Sequence, residues 1–120
     1  MPVLPGITDK PEMLEALAMR VADAGAHNLA ACALRLRATA RRRYLPLIQQ
    51  SFPDLADRYR KAYANGIHVS ESYRVGLKHF LVQLCRKHGL DTRVYRDDRD
   101  QDSCGSNVVE AVPAQLVLDI

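Results

Sequence analysis

The side chains with the most chemistry in this chain are its arginines, cysteines, histidines and tyrosines. Arg35, Arg37, Arg41, Arg42 and Arg43 fall within nine residues. A guanidinium presents a planar fork of donors that fits phosphate or carboxylate. Two readings of this group stand. It binds an anionic ligand or nucleic acid, or Arg41–Arg43 are simply solvated on the first turns of a helix, where the dipole slightly disfavours cations. Cys32, Cys85 and Cys104 are an odd set at wide spacing. They form no CxxC, CxxxCxxC or Cys/His finger pattern and read as free thiols, buried or at the surface. His27, His68, His79 and His88 have no partner at metal-ligand spacing on one helix, and His88 suits a helix C-terminus. No GxSxG, Walker loop or GxGxxG occurs. Tyr44, Tyr59, Tyr63 and Tyr73 recur at helical spacings and read as the edge of an amphipathic core rather than as base-stacking platforms.

The elements that must position these groups change character along the chain. Residues 2–5, Pro-Val-Leu-Pro, can be extended, and Gly6 permits a tight turn because it tolerates φ > 0. Asp9 with Glu12 three residues on resembles a capping box. Leu14, Leu17, Ala18, Val21 and Ala22 follow at helical spacing, and Gly25 supplies a stop, so residues 10–24 are expected to be helical. Residues 26–37 are nearly uncharged until Arg35 and suit a strand buried on both faces, although alanine is a poor strand former and periodicity does not exclude helix. Strand, helix and strand in that order suit a right-handed βαβ unit. Two parallel strands leave unsatisfied edges, so the unit calls for neighbours. The remainder reads as about three helices. Tyr44, Leu45 and Ile48 line the first. Ser51 with Asp54 suggests a cap for the second, with Pro53 in its first turn and Asn65-Gly66 at its end. Ser70 can cap the third, which runs to His88-Gly89.

At 120 residues with 48% hydrophobic content, the chain can form one domain with one modest core. The net charge of +3 is mild but unevenly spread. Residues 35–61 hold eight basic and two acidic side chains, whereas residues 91–120 hold three basic and seven acidic. This predicts a basic face and a flexible acidic tail. No apolar run approaches the roughly 20 residues of a membrane span. No basic segment followed by an apolar one marks a signal peptide, so the expected location is cytoplasmic, with no membrane partner. The closing QLVLDI, with Gln115, Leu118 and Ile120, resembles the peptides by which bacterial proteins dock on the DNA sliding clamp.

Three blocks in order carry a wider likeness. They are PVLPGITD followed by a helix ending in ADAGA, then LRLR at 34–37, then FPDLADRYRKAYANGIHVSESYR followed by LVQLCRKHGL. Together they resemble the C-terminal part of radical S-adenosylmethionine (radical SAM) proteins, in the spore photoproduct lyase-like or DNA-repair-photolyase-like group. The likeness covers about residues 2–90. It implies an α/β fold: a two-strand βαβ remnant of a partial (β/α)6 TIM-like barrel over residues 1–38, a helical extension over 39–90, and a flexible acidic tail over 91–120. It also implies a four-iron–four-sulfur cluster that reductively cleaves S-adenosylmethionine to a radical that abstracts hydrogen from substrate. The cofactor carries that chemistry, and the protein supplies binding and orientation.

Carried onto this sequence, the likeness places Pro5 and Gly6 at the end of one barrel strand, beside the adenosylmethionine site. Leu36 and Arg37 would end the next and approach the adenosyl moiety. The CxxxCxxC motif that holds the family's cluster is absent, and Ala38-Thr39 stands where the group often has Pro-Gly. The expectation is therefore a fragment: a truncated reading frame, an internal start at a methionine, or half of a split protein. It would be catalytically incomplete and bind neither cluster nor adenosylmethionine alone. The expected partner is the N-terminal part of the same protein, as a separate chain. Two alternatives accompany this reading. One is a stand-alone helical module that uses Arg35–Arg43 and Arg58–Lys61 on nucleic acid. The other is an interaction subunit that completes a barrel supplied by another chain.

Overall fold

A computed structural model describes residues 1–91. The order is β1 (Pro2–Val3), α1 (Pro11–Asp23), β2 (Cys32–Ala33), α2 (Ala38–Ser51), α3 (Pro53–Ala62) and α4 (Glu71–Lys87). The fold is mixed and helix-rich, and its sheet has two strands among the described residues. β1 and β2 run parallel, with Pro2 opposite Cys32 and Val3 opposite Ala33. Three helices follow β2, as the sequence suggests. The expected acidic tail, Cys104 and the QLVLDI peptide fall at residues 92–120, outside the described residues, apart from Asp91 at the tail's start.

Both strands are shorter than their sequence implies. Of residues 2–5 only Pro2 and Val3 pair, because Leu4 opens a turn in which its carbonyl accepts from the Ile7 and Thr8 amides at 3.1 and 3.0 Å. Pro5 and Gly6 occupy the middle of this turn, and Gly6 sits at φ +73°. That is the conformation a type II turn requires at its third position and glycine supplies without strain. A strand extends only as far as its neighbour, so the expected strand over 26–37 reduces to Cys32–Ala33.

The helix starts also depart from expectation, and in both cases proline is the cause. Asp9 does not cap α1. The residue before a proline is pushed out of the helical region, so Lys10, at φ −63° and ψ 133°, takes the N-cap position without a side-chain bond and Pro11 opens the helix. Ser51 likewise caps nothing. Pro53 holds Phe52 at φ −139° and ψ 66°, so the break falls at Phe52, and Ser51 is the last residue of α2. Ser70 does cap α4, accepting from the Tyr73 amide at 3.4 Å. Gly25 stops α1 at φ +80°. The amides of Gly25 and Ala26 return to the carbonyls of Ala22 and Val21, which is a Schellman closure.

The core lies on one face of the strand pair. Val3 and Ala33 point into it. Leu14 and Ala18 of α1 and Leu77, Leu81, Leu84 and Cys85 of α4 join them. α4 packs on β2 and on α1, and α2 packs on α3. At the far end of α4, the Lys87 ammonium bonds the Glu15 carboxylate of α1. That bond and the Lys87 charge hold the Glu15 carboxyl below the usual carboxylate range. Among the described residues no helix is long and apolar enough to cross a membrane.

Candidate functional site

The parallel register places the Pro5–Gly6 turn and the Leu34–Arg37 segment at the same end of the sheet. In open α/β sheets the carboxyl ends of parallel strands are where ligands bind. Helix α3, its C-cap residue Tyr63 and helix α4 reach this end through three tyrosine hydroxyls. Tyr59 donates to the Pro5 carbonyl at 2.7 Å. Tyr63 donates to the Leu34 carbonyl at 2.7 Å. Tyr73 donates to Oδ2 of Asp9 at 2.9 Å. The same Asp9 oxygen accepts from the Gly6 amide at 2.7 Å, and Thr8 Oγ1 accepts from the Leu4 amide at 2.8 Å. Asp9 is 2% exposed, the one buried charged residue among those described. It therefore closes the turn internally and ties it to α4.

The tyrosines lie deeper than a core edge. Tyr59, Tyr63 and Tyr73 are 0%, 1% and 4% exposed. The Tyr59 ring stacks on Tyr63 at 5.9 Å and meets Tyr44, tilted, at 5.7 Å. Burial, more than any neighbour, pushes all three hydroxyls well above the ordinary tyrosine value. The Tyr44 hydroxyl is buried with no hydrogen-bond partner among the described residues. The spacing signalled a buried stripe. It did not signal that each hydroxyl needs an acceptor at the strand ends, and Asp9 was hidden by its resemblance to a cap.

The residues expected to touch a cofactor fare unequally. Pro5 is buried and its carbonyl is taken by Tyr59. Gly6 is exposed, but its amide is taken by Asp9. Leu36 is 2% exposed, and its amide donates to the Ile67 carbonyl at 2.9 Å. Arg37 is exposed at the N-cap of α2. The open surfaces here are the Cβ-free Gly6 and the Arg37 guanidinium.

The arginines do not form one cluster. Consecutive helical residues point about 100° apart, so Arg41, Arg42 and Arg43 fan around α2. Arg41 turns inward, where its guanidinium bonds the Gly66 carbonyl while its Nε is buried without a partner among the described residues. Arg35, Arg42 and Arg43 are exposed. Cys32 is an exposed free thiol and Cys85 a buried one whose pKa burial raises. Among the described residues no three His, Cys, Asp or Glu side chains are grouped to hold a metal ion.

A helix-rich protein with a two-strand parallel sheet has few distinguishing features, so sequence relatives carry the comparison. The chain is 35% identical over 89 residues to an uncharacterized protein of Mycobacterium bovis and to uncharacterized proteins of two Mycobacterium tuberculosis strains. The match covers 74% of this chain and 26% of each relative, so the chain spans about a quarter of their length. No family model matches, and no solved structure matches.

Proposed function

We propose that the chain is the C-terminal part of a radical SAM protein of the spore photoproduct lyase-like or DNA-repair-photolyase-like group. Its two strands would belong to a partial (β/α)6 barrel, and α2–α4 would form the extension that follows. The observation that supports this most is the alignment of the Pro5–Gly6 turn and Leu36–Arg37 at the carboxyl end of two parallel, in-register strands. The match to one quarter of longer relatives agrees with it.

The residues fit the two implied groups differently. The described residues offer no ligand set for an iron–sulfur cluster, so the cluster would be held by another part of the protein, and no step through it is assigned to this chain. S-adenosylmethionine fits better. When bound to such a cluster it supplies radical chemistry by hydrogen abstraction. Arg37 would approach its adenosyl moiety, and Gly6, lacking Cβ, would admit close approach of a flat group. Pro5 and Leu36 act behind these two, holding the turn and the strand end in the core. The test is anaerobic iron–sulfur reconstitution of the intact Mycobacterium tuberculosis relative and of this chain. The relative should gain a four-iron cluster and cleave S-adenosylmethionine, and this chain should do neither. A relative that takes up no cluster removes the reading.

One observation favours a second reading, a nucleic-acid surface on α2 and α3. α2 contains no acidic residue, and Arg42, Arg43, Arg58 and Lys61 are all exposed. Arg60 is excluded from this surface because Asp57 and Gln49 hold it.

A further inference from the structure

The outward side of α2 is both basic and apolar, and nothing among the described residues covers it. Tyr44, Leu45 and Ile48 turn to the core, which leaves Arg42, Arg43, Pro46, Leu47 and Gln50 exposed on the other side. Arg43 and Leu47 stand one turn apart on a single stripe. Leu47 is 54% exposed, and Phe52, where α2 meets α3, is 43% exposed. Among the described residues no carboxylate pairs with Arg42 or Arg43. α2 itself has no acidic residue, and Asp57 on α3 is paired with Arg60.

Charge is divided along the chain in a matching way. Residues 1–91 hold fourteen Lys and Arg against eight Asp and Glu, whereas residues 92–120 hold three against six. Asp97, Asp98, Asp100 and Asp102 fall close together, with Arg96 and Arg99 among them. An apolar stretch follows, with Val108, Val109 and Val112 and then Leu116, Val117 and Leu118. Acidic then apolar is the complement of Arg42 and Arg43 followed by Leu47 and Phe52. A plain polyanion would match the arginines and leave Leu47 and Phe52 in water. Reach is no obstacle. At about 3.3 Å per residue, the stretch from Asp91 to Val108 spans up to about 55 Å when extended, against a longest dimension of 39 Å.

We propose that the α2 face formed by Arg42, Arg43, Leu47 and Phe52 is a docking surface for the chain's own residues 97–118. The contact is intramolecular, so the tether supplies an effective concentration in the millimolar range and a weak contact suffices. The carboxylates of this segment and the phosphates of a nucleic acid then compete for the same two arginines. That competition rests on the nucleic-acid reading, whereas the docking does not.

The experiment uses the full chain with Cys32→Ser, so that a nitroxide reagent is directed to Cys104, Cys85 being buried. Amide resonances are compared with the nitroxide oxidised and reduced. The expected result is loss of signal centred on the amides from Arg42 to Phe52, with those of α1 unaffected. Arg42→Glu with Arg43→Glu, both at exposed positions, should restore the lost signals. So should the combination Asp97→Asn, Asp98→Asn, Asp100→Asn and Asp102→Asn.

Loss spread evenly over the described residues, or centred on another surface, overturns the proposal, as does loss that survives Arg42→Glu with Arg43→Glu. Loss of signal in isotope-labelled chains mixed with separate nitroxide-bearing chains overturns it in favour of docking between copies. A single-stranded oligonucleotide separates the two readings. Binding to the four-Asn variant about tenfold tighter than to the native chain supports the competition. Local signal loss together with no oligonucleotide binding by either chain leaves the docking standing and removes the nucleic-acid reading instead.

Discussion

The Tyr73 hydroxyl donates to the Asp9 carboxylate at 2.9 Å, joining two residues 64 positions apart in a site closed to water. A buried carboxylate deprived of a donor costs more than the bond is worth when made. Tyr73→Phe should therefore destabilise the chain by about 2–3 kcal/mol in denaturant unfolding. Asp9→Asn should cost a similar amount. In a double-mutant cycle the two should show about 1–2 kcal/mol of coupling. Additive effects would mean that the two residues act separately.

Tyr59→Phe should act locally. It removes the donor to the Pro5 carbonyl and leaves the ring stack with Tyr63 in place. The expected global loss is about 1–2 kcal/mol. The amides of Ile7 and Thr8, which close the turn on Leu4, should lose hydrogen-exchange protection more than the amides of α4. Uniform loss across the chain would contradict a specific hold on the turn.

Alkali should unfold the protein. Tyr59, Tyr63 and Tyr73 are raised from an ordinary value of 10.0, chiefly by burial. Above that value the unfolded chain releases these protons while the folded chain retains them. The unfolded state then binds fewer protons, and stability falls with rising pH. Their contribution is complete below pH 10 and declines above it. Tyrosinate absorbance and circular dichroism should change together in that range. Tyrosinate appearing well before unfolding would show the hydroxyls to be accessible.

Nucleic-acid binding through α2 and α3 has a salt signature. Each phosphate contact contributes about 0.9 to the log–log slope of affinity against salt. Replacing Arg42 and Arg43 together by alanine should lower that slope by about 2 and leave stability unchanged. Arg41→Ala should instead lower stability, because its guanidinium holds the Gly66 carbonyl. Absence of duplex or single-strand binding at low salt would discard this surface.

Much of the framework was legible from local signals. Ser70, the Gly25 stop and the three helices after β2 follow from capping chemistry and apolar spacing. The two misplaced helix starts share a cause that was also local. Pro11 and Pro53 constrain Lys10 and Phe52, and this outweighs the capping preference of Asp9 and Ser51. What the sequence hid is long-range. Nothing near Asp9 announces a hydroxyl from α4, and nothing near Tyr59 announces the Pro5 carbonyl. The arginine group looked compact because adjacent residues are near in sequence. A helix sends them in different directions, and Arg41 found a backbone partner 25 residues away.

The three tyrosine bonds also set an order of events in synthesis. Residues 2–9 leave the ribosome before the residues they pair with or bond to, which are 32, 34, 59 and 73. Until Tyr73 has emerged, the opening segment has no complete set of partners, and closing so long a loop is slow compared with forming α3 or α4. β1 is thus made before the helices that fix it and settles after them. A nascent chain arrested before residue 73 should expose residues 2–9 to protease, and one arrested well beyond it should shield them.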